Sequence, residues 1–390
     1  MGSPALQAAL TRVDELAPVV RAGAAESEAL GRLAPAVVEK LHRADLFRML
    51  LPADRGGGGL TIPESVEVVE RVAALDASTG WTLAILAYGP LMMRRLAPEA
   101  YDALCADPTA LVAGSLNPAT ARAERAEGGY VFNGTATYAS GSAHARWLAA
   151  GAVVTEHGEF AIRDGAPLIC AGVIPIDQAR CLDTWNVAGM RATGSSHYEF
   201  HDVPVADGWT FNPFGAGDVD TDDVFLRIPL IDQLGGGLAA VATGAARNAI
   251  DRFVELATAK VPVGADRSLL AERSNAHRAV GEAEGLYRAS RAALLDGAET
   301  AWRRGVDGLP FAPADLASYR VSMVAAVRIA AQAVDLIHDV AGMDAVMSGS
   351  VIDRCWRDVH TLSQHVLLAP HRYGIAGRVF LGLDPGEPVI

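Results

Sequence analysis

Gly128-Gly129-Tyr130-Val131-Phe132-Asn133-Gly134 decides the fold: an aromatic and β-branched run closed at both ends by turn residues, in a chain whose flanks are helical. Working outward, Trp147 to Val154, Leu168 to Ile176 and His197 to Val203 read as further strands. Before them, Leu6, Leu10, Val13 and Leu16 form one stripe at helical spacing, and Leu30, Leu33, Val37 and Leu41 form another. Leu51-Pro52 and the run Arg55 to Gly59 break the pattern, which resumes from Ile62 to Leu104. Asp76-Ala77-Ser78-Thr79 offers capping residues ahead of Trp81. After Phe214 the helical texture returns and persists to Leu381. The expected division is 1–111 helical, 112–214 all-β and 215–390 helical. Blocks of strands and of helices, rather than alternating units, point to an α+β chain and away from a doubly wound sheet.

A chain of 390 residues buries a large core, and a composition 51% hydrophobic and 20% charged excludes disorder. The net charge of −13 argues against nucleic acid and anionic membranes as partners. Met1-Gly2-Ser3-Pro4-Ala5 lacks the basic start and apolar run of a signal peptide. The longest apolar run noted, Thr82 to Met93, falls short of the roughly 20 residues of a membrane span. Cys105, Cys170, Cys181 and Cys355 show no CxxC spacing, so free thiols in a reduced cytoplasmic setting are expected, with no metal site. No G-x-G-x-x-G or P-loop pattern occurs, so no nicotinamide site is expected. Gly56 to Gly59 follow a helix and suit a loop hinge better than a phosphate cradle.

Four marks in order carry a family resemblance: Leu51-Pro52 with its glycines, Gly129 to Gly134, Thr193-Gly194-Ser195 before Val203-Pro204-Val205, and Arg357-Asp358. Together they resemble the acyl-CoA dehydrogenase superfamily over nearly the whole chain. The resemblance implies an N-terminal helical domain, a middle β domain and a C-terminal four-helix bundle. Within the superfamily the chain looks most like the two-component flavin-dependent monooxygenases, of the p-hydroxyphenylacetate hydroxylase and dibenzothiophene monooxygenase type. Tyr138-Ala139-Ser140-Gly141, Trp185 to Ser195, and Arg354-Cys355-Trp356-Arg357-Asp358-Val359-His360-Thr361-Leu362-Ser363-Gln364-His365 carry that narrower likeness. Where dehydrogenases place their catalytic Tyr-Glu, this chain has His365 and Val366, and no Glu or Asp lies between Asp358 and Asp384.

The resemblance implies an oxygenase that uses reduced flavin (FMN or FAD) and O2 through a C4a-hydroperoxide, a separate NAD(P)H flavin reductase, and a homo-oligomer, expected as a tetramer. By the same likeness Ser140 would donate a hydrogen bond near flavin N5. Its plain alternative is a turn serine beside Gly141. His365 stands as acid/base, taking a phenolic proton or hydrogen-bonding the phenolate, against a helix-end histidine on a free carbonyl. His360 is as well read as structural. Arg354 and Asp358 at i,i+4 suit a surface or interface ion pair, and His371-Arg372 a solvated pair. Trp185, Arg191, Thr193 and Ser195 would border the flavin. Arg267, Arg273 or Arg278, with the Gly342 turn, would meet its phosphate, often from a neighbouring subunit. Trp81 and Tyr88, seven apart on one helix face, would wall the substrate pocket, with core packing as the alternative. Two further classes stay open: an acyl-CoA dehydrogenase-like desaturase, which needs a carboxylate base, and a non-catalytic member that binds no flavin.

Overall fold

Several helices begin where the sequence supplies a cap. In a computed structural model, which describes residues 2–163, 165–215, 217, 221–263 and 267–386, α1 (Pro4–Leu30) starts where Ser3 Oγ accepts the Leu6 N–H. It stops at Gly31, which takes the left-handed conformation with φ +65°. After α2 (Pro35–Arg43), α3 (Ile62–Ala73) opens on a capping box between Thr61 and Glu64. α4 (Ala77–Ala87) opens on Asp76, whose Oδ2 accepts the Thr79 N–H at 2.9 Å. α4 is apolar on every side, and ten of its residues are buried, so it threads the interior. α5 (Gly89–Met93) and α6 (Pro98–Ala106) complete the helical region. In the loop between, the N–H groups of Gly56, Gly57, Gly58 and Gly59 all donate to carbonyls of residues 48 to 53. None is left for a phosphate.

The strands are β1 (Val112–Ser115), β2 (Ala121–Ala126), β3 (Gly129–Ala136), β4 (Trp147–Glu156), β5 (Glu159–Phe160), β6 (Ile162–Arg163), β7 (Ala166–Pro167), β8 (Ile169–Pro175), β9 (Arg180–Cys181), β10 (Tyr198–Ala206) and β11 (Thr210–Phe211). Their main sheet runs β11-β8-β4-β2-β3-β10-β9, with β1 parallel to β4. Phe132, Phe200, Leu148 and Ile174 fill its own small core.

The third region holds α7 (Val224–Arg227), then three long helices, α8 (Leu230–Ala259), α9 (Ser274–Val306) and α10 (Pro313–Ala341), and then α11 (Val351–Leu362) and α12 (His371–Phe380). α8 to α11 form the bundle, and α3 and α4 lie against α8. Small residues let α3 and α8 meet: a Cβ on Gly244 would come within 2.5 Å of the Glu70 carbonyl. Contrary to the sequence reading of apolar runs, α10 with its following turn is long and apolar enough to cross a membrane. It is the central bundle helix, however, and it carries a buried arginine, Arg320, bound to Asp232 of α8.

Candidate active site

The segment Tyr138–Gly141 and the turn Met190–Ser195 meet over the start of α4. Four side chains there form one hydrogen-bonded row. Thr193 Oγ1 donates to the Met190 carbonyl at 2.8 Å. Its proton is thereby spent, so Ser195 must donate to Thr193 across 2.6 Å, and Ser140 to Ser195 across another 2.6 Å. Trp81 Nε1–H closes the row by donating to Ser140 Oγ at 3.1 Å. All four side chains are buried. With every hydroxyl proton committed, the row offers lone pairs. Ser140, expected as a donor, is an acceptor in this arrangement unless it releases Ser195.

On the other side of the Trp81 indole lies His365, edge to face at 5.3 Å between ring centroids. Burial, helped by the charge of Arg372, pushes its pKa down to about 4, so the ring is neutral at pH 7. Its Nδ1 accepts the Leu367 N–H at 3.3 Å, which assigns the ring proton to Nε2. A neutral imidazole in that tautomer is first a hydrogen-bond donor. Of the two chemistries expected of His365, donation to a phenolate-like oxygen fits better than removal of a proton.

The Met190 turn is fastened from beneath. Met190 holds a left-handed φ of +56°, a conformation that costs a non-glycine residue about 1 kcal/mol or more. Its N–H donates to Asp358 Oδ1, and Arg357 Nη1 donates to the Ala188 carbonyl at 2.6 Å. Gly189 is obligatory, because a Cβ there would stand 2.1 Å from the Arg357 carbonyl oxygen. The Met190 carbonyl in turn accepts from Trp185 Nε1 at 3.0 Å as well as from Thr193. Arg354 and Asp358 are therefore not the surface pair that their spacing suggested. Both are buried; Arg354 reaches Asp76 at 3.5 Å and Glu28 at 3.7 Å. Burial and the nearby charge of Asp76 push the Asp358 carboxyl up to about 7, and its Oδ2 has no partner among the described residues.

Several other expected residues lie elsewhere. Tyr88 is core: its hydroxyl bonds Ser65 Oγ at 2.8 Å and its ring covers Gly237. The sequence spacing was sound, but α4 ends at Tyr88, which turns into the packing with α3 and α8. His360 is not brought to the row. It sits half-buried on Asp335 at 2.8 Å, edge to face with Trp356. His371 is exposed as expected, but Arg372 is buried, with Nε on the Val366 carbonyl at 2.8 Å. Arg191 is exposed beside the Met190 turn. Arg267 and Arg278 are exposed, Arg273 is half-buried, and Arg278 pairs with Glu282. Lys260, at the end of α8, bonds the Ala341 carbonyl and pairs with Asp344, so the Arg267–Arg278 segment and the Gly342 turn lie at one end of the bundle. Gly236 lies near the other end of α8, 23 residues before Ala259, about 35 Å away at 1.5 Å per residue.

The sequence reading also missed a close helix seam. Gly235, Gly236 and Gly237 run along α8, and a Cβ on each would stand 2.7 Å from Met323 Sδ, 2.4 Å from the Tyr319 hydroxyl and 2.5 Å from the Tyr88 ring. Three adjacent glycines inside a helical run cost roughly 1 kcal/mol each against alanine, a visible signal that the space mattered. The hydroxyl of Tyr319 is buried without a partner among the described residues.

A flavin ring fits the row of hydroxyls. Reduced flavin presents N–H groups along one edge, and Ser140, Ser195 and Thr193 present lone pairs; Trp185 and Arg191 stand on the same turn. Among the described residues no group of His, Cys, Asp and Glu suited to a metal occurs.

The comparisons agree with this geometry. The N-terminal domain of acyl-CoA dehydrogenase matches residues 8–100, and its C-terminal domain matches residues 236–370. The indole-3-acetate monooxygenase of Pseudomonas putida is 29% identical over 384 residues, covering 98% of this chain and 94% of that protein. The oxygenase component of the FADH(2)-dependent resorcinol hydroxylase of Rhizobium sp. (strain MTP-10005) is 26% identical, over 96% of this chain and 94% of the other. Among solved structures, the HsaA monooxygenase from M. tuberculosis superposes with a TM-score of 0.88 at 25% identity, over 99% of this chain and 100% of that one. From residue row to full-length likeness, the chain belongs to the acyl-CoA dehydrogenase superfamily, in its flavin-dependent monooxygenase branch.

Proposed function

We propose that the chain is the oxygenase component of a two-component system that oxidises an aromatic or heteroatom-bearing small molecule. Reduced flavin, FMNH2 or FADH2, supplies the two electrons with which O2 delivers one oxygen atom to substrate and the other to water. A separate NAD(P)H flavin reductase provides it. The relatives named for indole-3-acetate and for resorcinol support an aromatic substrate.

The observation that carries the reading is the Trp81–Ser140–Ser195–Thr193 row, backed by a neutral His365. A dehydrogenase needs a carboxylate to take a proton from carbon. Here Asp232 is held in both oxygens by Arg320, and Asp358 is sealed beneath the Met190 turn. The row would anchor the cofactor's ring edge with hydroxyl lone pairs. Trp81 would fix Ser140 and shield it from water. His365 would donate from Nε2 to the oxygen of a phenol or to a ring substituent, and so orient the substrate. The Arg267–Arg278 segment and Gly342, together at one end of the bundle, would meet the phosphate of a flavin seated on a neighbouring subunit. On this reading the chain works as a homo-oligomer, a tetramer. The exposed side chains of Met343, Met347, Phe380 and Leu381 at the bundle ends supply apolar area for such contacts.

Mixing the protein anaerobically with FMNH2 or FADH2, then with 18O2 and a panel of phenols and indoles, tests the reading. One labelled oxygen atom in the product is expected, and NADH alone should drive no turnover by the purified chain. A protein that binds no reduced flavin, or that holds oxidised flavin bleached by an acyl-CoA, would refute it.

A further inference from the structure

Between α4 and the start of β1 a narrow cleft runs inward from the surface, and ten of its eleven lining side chains are apolar. Among its walls are Leu86 of α4, Met93 of α5, Leu104 of α6, Ala110, and Val112 at the start of β1. Its outer end is at Pro108, which is exposed, and Arg48, which is half-buried. Arg48 is the one polar side chain, and its donors are turned to the backbone. Nε donates to the Gly56 carbonyl at 3.3 Å, and Nη2 to those of Arg55 at 2.8 Å and Cys105 at 3.1 Å. The free space inside is that of about one water molecule. Neither a phenol, an indole nor a flavin fits it.

The inner end meets the site. Leu86 lines the cleft and also packs on Gly141, where the three atoms nearest to an added Cβ all belong to Leu86, at 3.2–3.4 Å. Gly141 follows Ser140 directly, and its N–H donates to the Thr193 carbonyl at 2.9 Å. One leucine thus stands between the cleft and the segment that carries the hydroxyl row. A water molecule in the cleft would find few of the polar partners it needs. A small apolar molecule gives up no hydrogen bond on entry. The proposed reaction requires that selection, since it must admit O2 while keeping water from the reduced flavin.

Resting on the monooxygenase reading above, we propose that this cleft holds dioxygen and conducts it from the surface at Pro108, past Leu86, to the flavin beside Ser140. A leucine changes rotamer without moving the backbone, so Leu86 passes a diatomic molecule with no lid to open. Trp81 and Leu86, five residues apart, stand about 140° apart round the α4 axis. The His365 side of Trp81 is thereby left to the organic substrate, and O2 arrives without passing it.

Dioxygen itself is the probe. It is paramagnetic and speeds the nuclear relaxation of the methyl groups it visits. In the wild-type chain without flavin, under raised O2 pressure, the methyls of Leu86, Met93 and Val112 should gain relaxation at least about threefold faster than those of Leu33 and Val68, which are similarly buried and lie outside the cleft. Ala110→Leu and Leu104→Phe fill the cleft from two different segments, and each should abolish that excess. With reduced flavin bound, each should also lower the second-order rate constant for flavin oxidation by O2, read in stopped flow, by at least about threefold, with reduced-flavin affinity unchanged. Wild-type cleft methyls that relax no faster than the controls overturn the proposal. So does an unchanged oxidation rate in a filled variant that has lost the excess. If one filled variant does not fold, the other and the wild-type measurement decide. A chain that binds no reduced flavin would instead defeat the monooxygenase reading; the relaxation measurement needs no flavin, so the two failures are distinct.

Discussion

Replacing Asp358 by Asn should make the protein more stable at alkaline pH and leave it nearly unchanged in acid. The folded carboxyl titrates at about 7 against an ordinary 3.8. Its folded-state pKa is raised, so its contribution to stability is fully present below 3.8 and is lost as pH rises through 7. Some three decades of proton affinity correspond to about 4 kcal/mol, which sets the upper bound on what ionised Asp358 costs at pH 8.5. For a chain of this length the unfolding entropy is about 0.8 kcal/mol/K, so the melting temperature of Asp358→Asn should gain about 2–5 °C on wild type between pH 4.5 and pH 8.5. The asparagine carbonyl still accepts the Met190 N–H, so reduced-flavin binding should persist. Asp358→Ala loses that acceptor and should weaken it. Differential scanning fluorimetry of the pair at intervals of half a pH unit measures the effect. A melting-temperature difference that is flat with pH, or that grows in favour of wild type, would refute the buried-carboxyl argument.

His365→Gln keeps a donor near the Nε2 position and should retain product formation within about tenfold. His365→Ala should lower it by about 10²-fold or more, with H2O2 released instead; equal loss in both would show that donation is not the role. Ser195→Ala breaks the row and frees the Ser140 proton, at about 1 kcal/mol of stability. It should raise uncoupled H2O2 release in peroxidase-coupled assays, and unchanged coupling would detach the row from the chemistry. Gly189→Ala brings a methyl into the Arg357 carbonyl and should cost both melting temperature and reduced-flavin affinity; a neutral result in fluorimetry and titration would mean the turn is not clamped.

The three-block architecture was legible because strands and helices write different periods, and the cap at Asp76 writes its own start. Ser140, Thr193, Ser195 and Trp81 were also legible, though only as residues along two separate segments. Nothing in a linear string says that Ser140 and Ser195, 55 positions apart, share a proton. The partner of His360 was hidden because helical spacing does not say which neighbour a face meets, and Asp335 comes from another helix. Arg354 and Asp358 misled in the same way: i,i+4 charges pair on exposed helices, but α11 turns both inward to Asp76 and Met190. Arg320 and Asp232 were invisible, since a buried ion pair between α8 and α10 looks, in sequence, like two ordinary surface charges.

The glycines of α8 bear on which positions of the helix seam can drift. Met323, Tyr319 and Tyr88 lie directly on the backbone of Gly235, Gly236 and Gly237, so a side chain at any of the three must displace a neighbour. At Gly236 and Gly237 that neighbour is a tyrosine, whose rigid ring has nowhere to fold. At Gly235 it is the end of Met323, and an unbranched thioether takes many shapes at little cost. Change should therefore be admitted first at Gly235, while Gly236 and Gly237 hold α4, α8 and α10 in register.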